Sequence, residues 1–183
     1  MHQSRVATRY ATALLNEAKQ TNVLEATIGD VRGLSTMLKE SRDFALFVAS
    51  PVIKAEQKAT ALKVIAEKAA LAPMTKNFLA LLVEKSRVNE LADIIHAFEV
   101  LYNAENNIVP VEITSAIELE PAQKDSLLKQ LAAQTGKKPQ PTYAVNTALI
   151  GGFTVKIGDS MMDGSIKHQL TLLKKRLLEG VLN

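Results

Sequence analysis

Chemistry needs particular residue types at particular spacings, and this chain offers few of them. His2, His96 and His168 stand far apart. None has the i, i+4 or His-Glu-x-x-His spacing that puts two metal ligands on one helix face, so each reads as an ordinary surface or helix histidine. The chain has no cysteine, which removes disulfides, thiolate metal sites and thiol nucleophiles and fits a reducing compartment. Gly151-Gly152 is followed by no Gly-Lys-Ser/Thr and belongs to no glycine triplet between a strand and a helix, so it builds no phosphate cradle. Its expected meaning is a close backbone approach or a bulge where a strand begins. Ser160, Asp163 and His168 are the residue types of a hydrolytic triad. They fall within one hairpin and one turn of helix, and no nucleophile elbow surrounds Ser160. No cluster of acids marks a glycosidase-like carboxylate pair. The expectation is a chain with no catalytic residue, no metal and no cofactor.

The elements that would position any site can be read from composition and pattern. With 183 residues, 47% hydrophobic and 22% charged, the chain is globular and long enough for one medium domain or two small ones. Its 22 cations against 19 anions leave a net charge of +3, too even a balance for a protein that coats nucleic acid. No 18 apolar residues run together, so no segment is expected to span a membrane. Arg5, Arg9, Glu17 and Lys19 interrupt the N-terminal stretch, which therefore lacks the apolar core of a signal peptide, and Glu17 argues against a transit peptide.

Punctuation divides the chain near Asn106-Asn107. Residues 1–105 hold two of the six prolines and two of the eight glycines, and the rest lie beyond. Before that point apolar residues recur three and four apart, as in Leu24, Ile28, Val31 and Leu38 or Val88, Leu91, Ile95, Phe98 and Tyr102. Breaks at Thr21-Asn22, Ser41, Ser50-Pro51 and Ala72-Pro73 divide this region into about five or six helices. Beyond it the period becomes two. Val109, Val111 and Ile113 predict a half-buried strand. A helix from Pro121 to Gly136 follows, then a short strand around Tyr143 to Asn146 after Pro139 and Pro141. Phe153, Val155 and Ile157 give a third strand. Asp163-Gly164-Ser165 can cap a last helix striped with Ile166, Leu170, Leu173 and Leu177. The predicted fold is mainly α with a smaller α+β part: a helical bundle over 1–105 and a β-α-β-β-α domain over 106–183.

Two features ask for a partner. On a helical wheel Val6, Ala7, Tyr10, Ala11, Ala13, Leu14, Leu15 and Ala18 cover an arc of roughly 200°, wider than the ~100° that a one-sided surface helix needs. Phe78-Leu79-Ala80-Leu81-Leu82-Val83 is apolar all round. The plain reading makes both of these central bundle helices. The sharper one leaves an apolar groove between them, where small side chains let another helix approach. The last helix carries Lys167, Lys174, Lys175 and Arg176 beside its leucines. Cations there suit the helix dipole, and a solvated basic face is the plain reading. The functional one is an acidic helical partner, or the phosphates of RNA, with Lys137 and Lys138 adding charge. Against RNA, the strands offer only Tyr143 and Phe153 for base stacking.

Three stretches carry a family resemblance: Arg9-Tyr10-Ala11-x-Ala13-Leu14-Leu15, then Phe78 through Leu91 with Arg87, and above all Leu149-Ile150-Gly151-Gly152-Phe153-Thr154-Val155-Lys156-Ile157-Gly158-Asp159 leading to Met162-Asp163-Gly164-Ser165. In order and spacing, over the full chain, the sequence resembles the delta subunit of F-type ATP synthases, the bacterial counterpart of the mitochondrial oligomycin-sensitivity-conferring protein. The resemblance implies a six-helix N-terminal bundle bound to the catalytic head and a smaller C-terminal domain contacting the peripheral stalk. It implies a non-catalytic stator subunit that keeps the head from turning with the rotor. Carried across, the groove for an alpha-subunit N-terminal helix falls on Tyr10, Ala13, Leu14, Phe78, Leu79 and Leu82. The contact with the b subunits is assigned to Lys167, Leu170, Lys174 and Leu177. The expected location is peripheral, on the cytoplasmic face of a bacterial inner membrane, held there through the complex, with no nucleotide or nucleic acid bound directly.

Overall fold

The computed structural model describes residues 4–180, with side chains described through 175, and divides the chain into two compact units, Met1–Glu105 and Asn106–Asn183. The first is helical: α1 (Arg5–Gln20), α2 (Leu24–Glu40), α3 (Arg42–Ala49), α4 (Ala55–Lys68), α5 (Pro73–Glu84) and α6 (Leu91–Glu105), with a 3-10 turn at Val88–Glu90 before α6. The breaks follow the local chemistry. Ser41 caps α3, its Oγ accepting from Phe44 N at 3.2 Å, and Pro73 occupies the first turn of α5, where its missing N–H costs nothing. Helices α1, α4 and α5 end in left-handed residues, Asn22, Ala70 and Ser86. After each of these, the next amide bonds back into the helix: Val23 N to Ala18 O at 2.9 Å, Leu71 N to Ala66 O at 3.0 Å and Arg87 N to Leu82 O at 2.7 Å. This is the Schellman closure, made here without glycine.

Helix α6 is the centre of the bundle and packs against α1 and α2. Its Leu91, Ile94, Ile95, Phe98 and Tyr102 meet Ala7, Ala11, Leu15 and Ala18 of α1 and Ile28, Val31 and Leu34 of α2 in the buried core. Lys58 of α4 is buried with its ammonium donating to Val48 O at 2.8 Å, which satisfies a carbonyl at the end of α3. Burial lowers the pKa of that ammonium. Helix α5 is fixed from outside itself. Its N-cap, Ala72, has no side chain to offer, and Asp30 of α2 substitutes: Oδ2 accepts from Ala72 N at 2.8 Å and from Thr75 Oγ1 at 2.6 Å.

The second unit is a four-stranded sheet with two helices: β1 (Ile108–Ser115), α7 (Pro121–Thr135), β2 (Lys138–Val145), β3 (Phe153–Ile157), β4 (Ser160–Asp163) and α8 (Ile166–Gly180). The strand order is β2-β1-β3-β4, with β1 and β2 parallel and the other pairs antiparallel. The α+β class is as expected, with two corrections. The first concerns β2, which begins at Lys138 and contains both Pro139 and Pro141 rather than following them. The strand tolerates them because it is an edge. Lys138 N donates to Asn107 O, just before β1, and Asn146 N to Ser115 O at its end, so alternation turns the nitrogens of 139 and 141 to the open side. The second is a fourth strand, β4. All four of its residues, Ser160-Met161-Met162-Asp163, are exposed, so no in-out alternation marks it in the sequence. Val111, Ile113 and Val155 form the core with Leu127 and Leu131 of α7.

Gly151-Gly152 makes the close approach expected of it. A Cβ on Gly151 would meet the side chain of Ile166, and one on Gly152, whose φ is +79°, would overlap the carbonyl oxygen of Gly164. Gly152→Ala is expected to destabilise the C-terminal unit by about 2–4 kcal/mol. Chemical denaturation followed by a probe in that unit tests this, and an unchanged midpoint would refute the packing argument. In the N-terminal unit, Asp30→Ala should cost about 1–2 kcal/mol through loss of the α5 cap, with Asp30→Asn retaining much of it. Equal loss in both variants would show that charge, not capping, is what Asp30 contributes.

Candidate functional site

Helices α1 and α5 leave a groove of about 920 Å³ between them. Val6, Tyr10, Ala13 and Leu14 line it from α1, and Met74, Asn77, Phe78 and Leu81 from α5. Tyr10 and Phe78 meet edge to face, with ring centroids 6.4 Å apart and planes at 67°. Arg5, Arg9, Glu17 and Arg87 form the charged rim. Ala13 is exposed and Leu81 is 39% exposed. The wide apolar arc of α1 and the all-apolar run of α5 therefore do not both disappear into the bundle: each helix buries one side and leaves the other open.

Of the residues assigned to the groove, Tyr10, Ala13, Leu14 and Phe78 line it. Leu79 and Leu82 do not. They are 3% and 0% exposed and belong to the bundle core. On the α5 wheel Leu82 stands about 40° from Phe78 on one side and Leu81 about 60° on the other. An unbroken apolar run gives no sign of which side faces the core. Val6, Glu17, Met74, Asn77, Leu81 and the three arginines complete the lining. Met74 and Leu81 are one helical turn before and after Phe78, a spacing the sequence already displays. Leu14, 5% exposed, serves both the core and the groove.

In the C-terminal unit, Lys167, Leu170 and Lys174 of α8 are exposed, as are Leu172 and Leu173. Leu170 is 52% and Leu173 53% exposed, so the leucine stripe is uncovered among the described residues. Leu177 and Arg176 lie outside the described side chains, and His2 outside the described residues altogether. The start of α8 is capped as anticipated. Ser165 N donates to Asp163 Oδ1 at 2.9 Å, and Ser165 Oγ accepts from His168 N at 3.1 Å. The hydrogen bonds from Ser165, aided by His168, hold the Asp163 carboxyl below its usual pKa. His168 Nδ1 is 3.9 Å from Asp163 Oδ2, and the serine in this cluster is Ser165, engaged as a cap, rather than Ser160. The two strand aromatics form no stacking platform: Phe153 packs on the core, and Lys124 Nζ lies 5.1 Å from the centroid of the Tyr143 ring. No group of three metal-ligating side chains occurs among the described residues.

These features define a class: a helical bundle with an open interhelical groove, followed by a small α+β unit with an uncovered leucine-lysine helix. Comparison with known proteins makes it specific. The family model for the ATP synthase delta (OSCP) subunit matches residues 6–177. ATP synthase subunit delta of Pelodictyon phaeoclathratiforme is 38% identical over 170 residues, covering 93% of this chain and 95% of that protein. The subunit of the same name in Chloroherpeton thalassium is 35% identical over the full length of both. A chain in the cryo-EM structure of the Toxoplasma gondii mitochondrial ATP synthase hexamer superposes with a TM-score of 0.72 at 26% identity, over 96% of this chain and 98% of that one. The protein belongs to the ATP synthase delta (OSCP) subunit family. No helix among the described residues is long and apolar enough to cross a membrane.

Because Ala13 is exposed and small, Ala13→Trp should fill the groove without disturbing the core. The expected outcome is an unchanged melting temperature with reduced binding of a groove-directed apolar dye. A lower melting temperature would place Ala13 in the packed interior.

Proposed function

We propose that the protein is a non-catalytic stator subunit of a proton-translocating F-type ATP synthase. In this reading the α1–α5 groove receives the N-terminal helix of an alpha subunit of the catalytic head. The C-terminal unit meets the ends of the b subunits of the peripheral stalk, and the protein sits peripherally on the cytoplasmic face of a bacterial inner membrane. The observation that carries the reading is the open apolar groove itself, in a chain of this family. An apolar cleft walled by two helices, with a small residue exposed in its lining, suits an amphipathic helix read through anchors three and four residues apart. The task is mechanical. Proton flow turns the rotor, and ATP forms only if the head is held still, so the connector has to bind tightly and bear load. Buried apolar anchors supply affinity for this, while charges at the rim set rate and specificity.

Calorimetric titration of the full chain with a peptide from the extreme N-terminus of the cognate alpha subunit tests the groove. Tight binding is expected. Ala13→Glu should weaken it by about 3 kcal/mol or more, some hundredfold in Kd, because a carboxylate is then desolvated against the docked helix. Ala13→Glu is a cleaner probe than Leu14→Asp, since Leu14 also supports the core. No binding, or equal binding by the variant, would refute the assignment. On the stalk side, Leu170→Asp should leave the fold intact and weaken recovery of the b subunits with the assembled complex. Normal recovery would remove α8 from that contact.

A further inference from the structure

The groove is lopsided in charge. Arg5 and Arg9 lie on the first turns of α1, and Arg87 follows the end of α5. Glu90 ties these ends together: Ser4 Oγ donates to its Oε2 at 2.9 Å, and Arg87 Nη1 donates to its Oε1 at 3.3 Å. Tyr10 and Phe78 meet midway along the walls. The two helices thus run in opposite senses, so Arg5 and Arg87 share one end of the groove and Arg9 follows one turn along α1, before Tyr10. Glu17, the acid in the lining, sits toward the other. Glu90 offsets Arg87, whereas neither Arg5 nor Arg9 is paired with a carboxylate among the described residues.

From Arg5 to Glu17 the α1 wall extends about 18 Å, the length of a helix of roughly 12 residues. We infer that the groove accepts its helix in a single charge polarity: the occupant's flank is acidic at the Arg5, Arg9 and Arg87 end, and neutral or basic beside Glu17. This rests on the reading of the groove as the head-binding site. Arginine suits the role because its planar fork grips a carboxylate through two hydrogen bonds, and an apolar floor focuses the field of clustered cations toward an arriving anion. Side chains decide the polarity, since each carries a full charge while a helix end carries only about half of one. The apolar anchors alone would fit a helix in either direction; the arginine end distinguishes the two.

The test uses the full chain and the cognate catalytic head, with association followed by stopped-flow fluorescence at several salt concentrations. Replacing both Arg5→Gln and Arg9→Gln should slow association about tenfold at low salt and flatten its salt dependence, with an unchanged circular dichroism melt. Glu17→Gln should associate at least as fast as the unmodified protein. In a charge exchange, Arg9→Glu should be rescued by exchanging the facing carboxylate of the docking helix for lysine. If the double variant keeps the original rate and salt slope while Ala13→Glu still abolishes binding, the polarity is overturned and the groove reading stands. If Ala13→Glu also binds normally, both fall.

Discussion

The N-terminal unit is organised by an excess of apolar helical surface. A bundle of this size has one core, and α6 occupies its centre, with Phe98 fully buried. A helix beside that centre can bury only the side it turns inward. Helices α1 and α5 are apolar over more than that side, so Tyr10, Phe78 and Leu81 remain partly or largely uncovered. Such an open face weakens a folded domain's margin and invites association. Its persistence at the meeting of two helices, rather than scattered over the surface, is what makes it a candidate site.

An open groove keeps its shape only if both walls are held. The α5 wall is pinned at its start by Asp30, reaching from α2 to Ala72 and Thr75, and its exit is tied through Glu90 to Ser4 at the beginning of α1. Both clamps join residues far apart in sequence, so they form only once the bundle has folded. Preorganisation of this kind lowers the ordering cost that an incoming helix would otherwise meet. The C-terminal unit discourages a different mode of association. Its β2 edge carries two prolines whose nitrogens face outward, and its β4 edge is only four residues long. Both devices blunt strand addition. Among the surfaces the unit leaves open is the side of α8, a helix face again.

Much of this was legible in the sequence because it depends on local chemistry. Ser41, Pro73, Pro121 and Gly136 act where their types dictate, and the two-residue period of Val111 and Ile113 gives β1 its buried side. The tight packing at Gly151-Gly152 was likewise readable from the paired glycines. What escaped depends on tertiary context. Pro139 and Pro141 look like strand breakers until the strand is known to lie at an edge. In β4, Met161 and Met162 are both exposed, so the pattern that would announce a strand is missing. Leu79 and Leu82 belong to the core because of the direction α5 faces, which an unbroken apolar run does not encode. The arginines come from the start of α1 and the turn after α5, and their proximity appears only when those segments are set side by side.

Sharing of residues between fold and groove has a consequence for how the surface can change. Leu14 packs into the bundle and also lines the cleft, so alteration there affects stability and binding together. Ala13, Leu81, Arg5 and Arg9 are exposed or at the rim and can vary while the core stays fixed. A division of labour follows. Leu14 keeps its part of the cleft wall fixed because the bundle depends on it, whereas the outward residues can change without disturbing the core. If the groove receives a helix as proposed, this is a useful separation, since the partner would be recognised at exposed charges while the holding contacts lie among side chains that the bundle already keeps in place.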